Sequence, residues 1–389
     1  MQFCGKIIVG ENMVKKKIKS IKIKEPYLGI FKIIGLILCI ALIILIFYLK
    51  QISDLTRLDY SKKASRNILF SWHKDDVLKV GKNKTLNAAF ESPYFKEKYI
   101  KEYSLINYVN HKNLIKNINK LLKIGYSTND INIILSHGND DSVTNFIKKG
   151  KVRYLEEFYS YDFAKLDNYD RYVKYEDKTA EDEEIVVMYV NLDLDKEDYK
   201  ESIPVTKFSE TMLVNKHHHL DKSFVPDNLV TIGTKYGADK ETKCCKVALD
   251  AFIEMSKAAE KEGYGIYINS AYRSYQDQVD VSNLYLKSYG QAYVDKFVAK
   301  PGYSEHQTGL ALDVASKNAN VFASSKEYKW MLDNAYKYGF ILRFTKAYEE
   351  ITGFRNEPWH YRYVGKKVAK TIYEEDMTLE EYYIKYLNK

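Results

Sequence analysis

The chain has 389 residues, enough for two folded domains, because single hydrophobic cores stop growing at roughly 250–300 residues. Apolar residues make up 46% and charged residues 29%, which excludes an intrinsically disordered chain. The net charge of +8 owes much to lysines in the first 24 residues, and lysines elsewhere are mixed with acidic residues, so we expect no nucleic-acid partner. Four cysteines are too few for a disulfide scaffold, and the composition does not indicate an oligomeric state.

An apolar segment near the N-terminus, residues 28–49, is long enough to cross a bilayer as one helix. The basic tail before it, residues 1–27, is predicted to stay in the cytoplasm, although basic residues after the span weaken this charge bias. A cleaved signal peptide is disfavoured because no small-residue cleavage site follows Leu49. We therefore predict a single-pass cell-membrane protein whose remaining residues lie outside the cell.

The segment after the span divides into two parts by composition. Residues 50–85 are polar and are predicted to form a stalk, and residues 86–200 are predicted to form a mostly helical accessory region. Within it, Leu114 and Ile118 have the spacing of one helix face, whereas residues 185–190 form an apolar run short enough for a buried strand. This region carries no catalytic constellation, and a role in binding or partner docking stays open.

Three consecutive histidines, His217–His219, stand near the start of the predicted C-terminal domain, residues 201–389. Neighbouring side chains in an extended segment point to opposite faces, so at most the first and third histidine could share a metal ion. We favour the alternative interpretation, an ordinary linker leading to Pro226.

Arg273 is the first candidate functional residue of this domain. A helix is predicted over residues 243–262 and an alternating strand over residues 264–270, and Arg273 follows where the strand ends and the next helix begins. An arginine held at such a junction can grip a carboxylate or a developing oxyanion with two hydrogen bonds. The pattern therefore indicates an anion-binding group.

Two candidate metal ligands come next in the sequence. If residues 310–314 form a strand, the leucine and valine side chains face the core and Asp313 faces the other way. His306 lies seven positions earlier, and Gly309 lets the intervening chain turn tightly back toward Asp313. A histidine nitrogen and an aspartate oxygen brought together in this way are typical zinc ligands.

A third ligand and a candidate base lie near the end of the domain. In a strand from Trp359, His360 and Arg362 share one face, and Pro358 fixes the backbone so that the carboxylate of Glu357 stands beside the imidazole. His360 completes three ligands and leaves a fourth position for water, whose pKa zinc lowers toward about 7. Glu357 is the candidate general base.

Each of these residues has a structural explanation when it is taken singly, but their combination favours a catalytic site. The segments 270–275, 304–313 and 357–360 also closely resemble, in order, spacing and flanking residues, the three signatures of VanY-type zinc D,D-carboxypeptidases. The resemblance covers about residues 210–375. The family's usual glycine before the Tyr-Arg pair is Ala271 here, a small change.

The resemblance implies an α+β domain of the hedgehog/DD-peptidase type, with a small antiparallel sheet that carries one zinc ion and helices that flank it. It also implies that Arg273, Gln278 and Ser304 help to hold the substrate. The implied reaction is hydrolysis of the C-terminal D-Ala-D-Ala bond of peptidoglycan stem peptides. The same metal set would serve a peptidoglycan endopeptidase, and an inactive wall-binding module is disfavoured because Glu357 and Arg273 are both present.

Overall fold

The computed structural model describes residues 25–239 and 241–388, with side chains from residue 29 onward. Most of the predicted cytoplasmic tail therefore lies outside the described residues. Contacts divide the chain into two compact units, of which the first ends at Tyr108 and the second begins at Val109. The domain boundaries expected near residues 85 and 200 stay predictions.

The first unit is helical. Its helices are α1 (Glu25–Thr56), α2 (Lys62–Phe70), α3 (Lys74–Val80), α4 (Lys84–Glu91) and α5 (Ile100–Leu105). The segment expected to form a stalk thus contains helices, because Ser61 caps α2 and the spacing of Ala64 and Ile68 lets both side chains become buried.

The second unit begins with further helices, which confirms the predicted mostly helical region. They are α6 (Leu114–Ile124), α7 (Thr128–Ser136), α8 (Asp140–Ile147), α9 (Leu155–Tyr159), α10 (Tyr169–Thr179) and α11 (Glu183–Asn191). The strand expected at residues 185–190 is wrong, because this run lies within α11. Glu183 and Glu184 in the first turn favour a helix start, and the apolar run is buried as a helix.

The remainder of the second unit mixes helices and short strands. The strands are β1 (Ile203–Pro204), β2 (His218–His219), β3 (Leu229–Thr231), β4 (Lys243–Cys245), β5 (Ile266–Ser270), β6 (Ala311–Ser316), β7 (Phe340–Leu342) and β8 (His360–Tyr363). The helices are α12 (Lys246–Lys261), α13 (Tyr275–Tyr289), α14 (Gln291–Phe297), α15 (Lys326–Asn334), α16 (Glu349–Thr352), α17 (Lys366–Glu374) and α18 (Leu379–Tyr382). The α+β class is confirmed.

A four-stranded antiparallel sheet of order β5-β6-β8-β7 organises this part of the chain. One face of the sheet packs on α12, where Leu312 and Tyr361 join Phe252 and Met255 in a continuous apolar core. Because side chains alternate along a strand, the residues between these core positions point to the opposite face. That second face carries the candidate site.

Candidate metal centre

The register of the sheet brings two predicted ligands together. Asp313 of β6 is paired directly with His360 of β8, and on its other side it is paired with Ser270 of β5, past an irregularity in the β5-β6 ladder. Directly opposite residues of antiparallel strands have Cβ atoms only about 4.5–5.5 Å apart. The two ligands predicted from separate segments are therefore neighbours on one face.

His306 reaches the same place from a short 3-10 turn, Glu305–Thr308, that precedes β6. Its ring Nδ1–H donates a hydrogen bond of 2.6 Å to the carbonyl oxygen of Ala271. Since a carbonyl oxygen can only accept, Nε2 keeps its lone pair, and this atom lies 3.5 Å from Asp313 Oδ1. The loop that carries Arg273 thus also orients the histidine.

The three side chains form a set that fits a divalent metal ion. One ligand atom from each of His306, Asp313 and His360 lies within 4.8 Å of the others. Asp313 Oδ1 is 3.4 Å from His360 Nδ1, yet this buried oxygen makes no hydrogen bond with any residue that the structure describes. A buried carboxylate oxygen without a hydrogen bond, beside two imidazole nitrogens, has the donor chemistry that zinc prefers.

Electrostatics favour the ionised carboxylate in this set. Burial opposes the charge of Asp313, but the adjacent imidazoles of His306 and His360 outweigh it and lower the pKa of this carboxyl group. Burial likewise opposes a charged His360, but the neighbouring carboxylates raise its pKa to about 9 in the metal-free protein. Metal binding would therefore release a proton from His360.

The histidine run, His217–His219, is not part of this cluster. His218 lies with Nδ1 3.2 Å from Asn215 Oδ1, and His219 lies with Nδ1 2.8 Å from Ser202 Oγ. Among the residues that the structure describes, the metal-ligand cluster is the one formed by His306, Asp313 and His360.

Glu357, the candidate base, stands beside this cluster without belonging to it. Its Oε2 lies 3.6 Å from His360 Nδ1, and its backbone N–H donates to the carbonyl oxygen of Phe344. Burial raises the pKa of Glu357. A desolvated carboxylate next to a metal site can accept a proton from an attacking water more readily than an exposed one.

The predicted substrate-binding residues line the same cleft, which has a volume of about 590 Å³. Arg273 Nη1 donates a hydrogen bond of 2.7 Å to Gln278 Oε1, and Gln278 Nε2 donates one of 2.8 Å to the carbonyl oxygen of Ala299. Ser304 and Glu357 lie on the cleft wall with Arg273. Gln278 therefore holds the guanidinium as well as bordering the cleft.

A buried charge network behind the metal cluster was missed from the sequence. The carboxylate of Glu305 lies 3.3 Å from His360 Nε2, and it accepts hydrogen bonds from Arg343 at 2.8 Å and from Arg362 at 3.1 Å. Arg343 also donates to Glu380. The only hint in the sequence was that Glu305 lies between two predicted site residues. Its partners could not be identified because they lie more than 35 positions away in the sequence.

Comparison with known proteins places this site in a family. Residues 241–366 match the VanY family of D-alanyl-D-alanine carboxypeptidases. The chain is 35% identical over 178 residues to a bifunctional D-Ala-D-Ala dipeptidase and D-Ala-D-Ala carboxypeptidase of Enterococcus gallinarum, covering 44% of this chain and 92% of the relative. The chain belongs to the VanY family.

Other relatives extend further beyond the segment that matches this chain. The chain is 43% identical over 181 residues to a putative carboxypeptidase, YodJ, of Bacillus subtilis, which corresponds to 44% of this chain and 66% of that relative. It spans 51% and 56% of the length of two D-alanyl-D-alanine carboxypeptidases, from Enterococcus faecalis and Enterococcus faecium. The family match, residues 241–366, does not include the first unit or the accessory helices.

Two solved structures have matching sequences. One is the LD-carboxypeptidase LdcB, at 40% identity and a TM-score of 0.44, covering 49% of this chain and 92% of that one. The other is a vancomycin-resistance D,D-pentapeptidase VanY in complex with Zn(II), at 30% identity and a TM-score of 0.40, covering 44% and 98%. In this chain, the donor set of two imidazoles and one carboxylate fits the same metal.

Proposed function

We propose that the chain is a zinc carboxypeptidase that hydrolyses the C-terminal D-Ala-D-Ala bond of peptidoglycan stem peptides outside the cell membrane. The observation that carries the proposal is a single cleft in which Glu357 and Arg273 border the cluster of His306, Asp313 and His360. A base, an anion-binding group and a metal-ligand set in one cleft are the components that metal-assisted peptide hydrolysis requires.

In this proposal each residue has one task. His306, Asp313 and His360 hold the zinc ion, which when bound lowers the pKa of a water toward about 7 and polarises the scissile carbonyl. Glu357 accepts the proton of the attacking water and passes it to the amine of the departing D-alanine. Burial supports this task, since it raises the pKa of Glu357 and so makes the carboxylate a stronger base.

Arg273 accounts for the preference for a chain end. Its guanidinium is partly buried, is held by Gln278, and can pair with the free carboxylate of a terminal D-alanine. An internal peptide bond offers no such carboxylate, so this group favours a carboxypeptidase over the alternative, an endopeptidase that uses the same zinc site.

A second candidate bond joins an L-residue to a terminal D-alanine. It is favoured by the higher identity to the LD-carboxypeptidase, 40%, than to the D,D-pentapeptidase, 30%. Both reactions release D-alanine from a free C-terminus, and the same residues serve both. The two differ in the stereochemistry of the residue before the scissile bond.

The proposed location rests on α1. Residues Gly29–Thr56 form a helix long and apolar enough to cross a membrane, and its apolar side chains are exposed along the span. We infer that α1 is a single-pass anchor with its N-terminus in the cytoplasm and the second unit outside. Protease protection of either end in right-side-out membrane vesicles tests this orientation.

The activity is tested with the purified full chain and two synthetic stem peptides. One is a pentapeptide ending in D-Ala-D-Ala, and the other is a tetrapeptide ending in a single D-alanine after an L-residue. We expect release of D-alanine from the pentapeptide, loss of this release with a chelator, and recovery with zinc. Faster cleavage of the tetrapeptide would instead favour hydrolysis of the bond between an L-residue and the terminal D-alanine. Fragments from an internal cut would favour an endopeptidase.

Glu357→Ala is the matched variant for the chemical step. It should abolish release of D-alanine while zinc stays bound, because Glu357 is not among the ligands. Glu374→Ala is the control, since Glu374 is an exposed residue of α17 whose ion-pair partner, Lys370, is also exposed. Unchanged D-alanine release by Glu357→Ala would remove the proposed base.

A further inference from the structure

Phe70 and Trp72 are unusually exposed for aromatic residues. The side chain of Phe70 is 75% exposed and that of Trp72 is 93% exposed, the two largest values among the exposed large hydrophobic residues that the structure describes. They flank Ser71, which ends α2, while Ile68 on the other face of α2 is fully buried. The two rings therefore point away from the core of the first unit.

Their position along the chain ties them to the proposed membrane span. The apolar run of α1 ends at Leu49 and is followed by Lys50, but the helix continues to Thr56. On this extension Leu55 is buried and Ile52, one turn earlier, is half-buried; Tyr48, two turns before Leu55 and within the apolar run, is also half-buried. One side of α1 is thus covered by protein as far back as the end of its apolar run.

After α1 the chain turns back toward the part of this extension that is nearest to the apolar run. Five residues, 57–61, connect α1 to α2, and Lys74 Nζ at the start of α3 lies 3.9 Å from Asp54 Oδ2. Asp54 lies about 7.5 Å beyond Leu49 along the helix axis, at 1.5 Å per residue. Trp72 is two residues from Lys74, so its ring lies within reach of the interfacial zone, which adds roughly 5–8 Å to each side of the hydrocarbon core.

We propose that Phe70 and Trp72 insert into the headgroup zone of the bilayer that α1 spans, so that lipid is the partner of this surface. The inference rests on the proposed anchoring by α1. Amphipathic aromatic rings are favoured at the boundary between lipid and water. Asp75 and Asp76, both exposed, follow directly and keep the insertion shallow. The first unit is then held at the membrane surface instead of swinging freely on α1.

Depth-dependent quenching of Trp72 tests this contact in the full chain. The protein is reconstituted into phosphatidylglycerol and phosphatidylcholine vesicles, with and without lipids brominated near the headgroup end of the acyl chain. The chain has three tryptophans, so the contribution of Trp72 is the difference between the parent protein and Trp72→Ala. Because Trp72 is almost fully exposed, this variant should keep its fold, which D-alanine release and thermal unfolding verify.

We expect the brominated lipids to remove most of the Trp72 fluorescence, while aqueous acrylamide removes little of it. Phe70→Ser should reduce the bromolipid quenching of Trp72 and serves as the partner variant. Quenching by acrylamide alone overturns the inference in favour of solvent exposure, and protection from both quenchers overturns it in favour of a protein contact. Alkaline extraction distinguishes failure of the lipid contact from failure of the anchor. If the protein resists extraction but the lipids do not quench Trp72, the anchor stands and the lipid contact is overturned. If alkali extracts the protein from the vesicles, both the anchor and the lipid contact are overturned.

Discussion

The carboxylate of Glu305 lies 3.3 Å from Nε2 of His360, on the side of the ring opposite the metal cluster. Burial opposes the charge of Glu305, but Arg343 and Arg362 outweigh it and lower the pKa of this carboxyl group, so that it can only accept hydrogen bonds. Nε2 of His360 therefore keeps its proton, and when a metal ion displaces the second proton of the ring, Nδ1 faces the cluster with its lone pair. A carboxylate behind a ligating histidine fixes the tautomer and ring orientation that a metal ion needs.

We expect Glu305→Gln to weaken zinc binding by about 10–100-fold, the usual effect of losing such a supporting carboxylate. An amide of the same shape can present its NH₂ group to His360, so that the ring is no longer held in one tautomer. Competition with a chromophoric chelator measures the affinity, and circular dichroism checks that the variant is folded. Zinc affinity equal to that of the parent protein would show that Glu305 only neutralises the two arginines.

The guanidinium of Arg273 should act mainly on the transition state or on the terminal carboxylate of the substrate. Arg273→Ala is expected to lower kcat/KM by about 10²–10³-fold, as removal of one oxyanion-stabilising donor does. Arg273→Lys should recover only part of this loss, because an ammonium group lacks the two-pronged geometry. Steady-state kinetics on the pentapeptide measure both variants.

Gln278 is expected to act on the reaction indirectly, by positioning the guanidinium of Arg273. Gln278→Leu removes the hydrogen bonds to Arg273 and Ala299, so we expect a smaller loss of kcat/KM than for Arg273→Ala. In a double variant the two losses should not add, because Gln278 acts through the guanidinium. Full additivity of the two losses would contradict this assignment.

Gly309 is required by the turn that separates two predicted metal ligands. Its φ is +68°, and a Cβ there would lie 2.9 Å from Cys245 Sγ. Gly263 has a φ of +86° but open space around it, so Gly263→Ala is a matched control for the backbone strain alone. We expect Gly263→Ala to destabilise the protein by about 1–3 kcal/mol, the strain of a non-glycine residue in this region, and Gly309→Ala to destabilise it by more. Equal unfolding free energies of the two variants would contradict the steric argument.

The buried histidine His218 predicts a pH dependence of stability. Burial lowers the pKa of His218 to about 4 from its ordinary 6.5, so the unfolded chain binds a proton more readily between these values. The free energy of unfolding should therefore fall as the pH falls from 6.5 to 4, by on the order of 3 kcal/mol from this group. Urea unfolding across this window measures the effect, and His218→Gln should flatten the curve. A curve of the same slope in the variant would assign the effect to other groups.

Much of the candidate site could be predicted from the sequence because its cues are local. Alternation in β6 and β8 determines which residues leave the core face, so Asp313 and His360 could be assigned to the site before their strands were known to pair. The position of Gly309 and the strand-to-helix junction at Arg273 are likewise readable within a few residues. These features depend on backbone geometry that each segment imposes on itself.

Other features depended on which segments meet. Glu305 could not be distinguished from a surface acid until the fold placed it against Arg343 and His360, because burial of a charge is tolerated only where distant partners neutralise it. The apolar run at residues 185–190 suits a strand or a buried helix, and packing in the second unit selected the helix. The sequence by itself determined the chemistry of the candidate ligands and the candidate base, since residue type and local alternation carry that information. The tertiary structure decided how those groups are held and oriented, since hydrogen-bond partners and burial arise only when remote segments pack together.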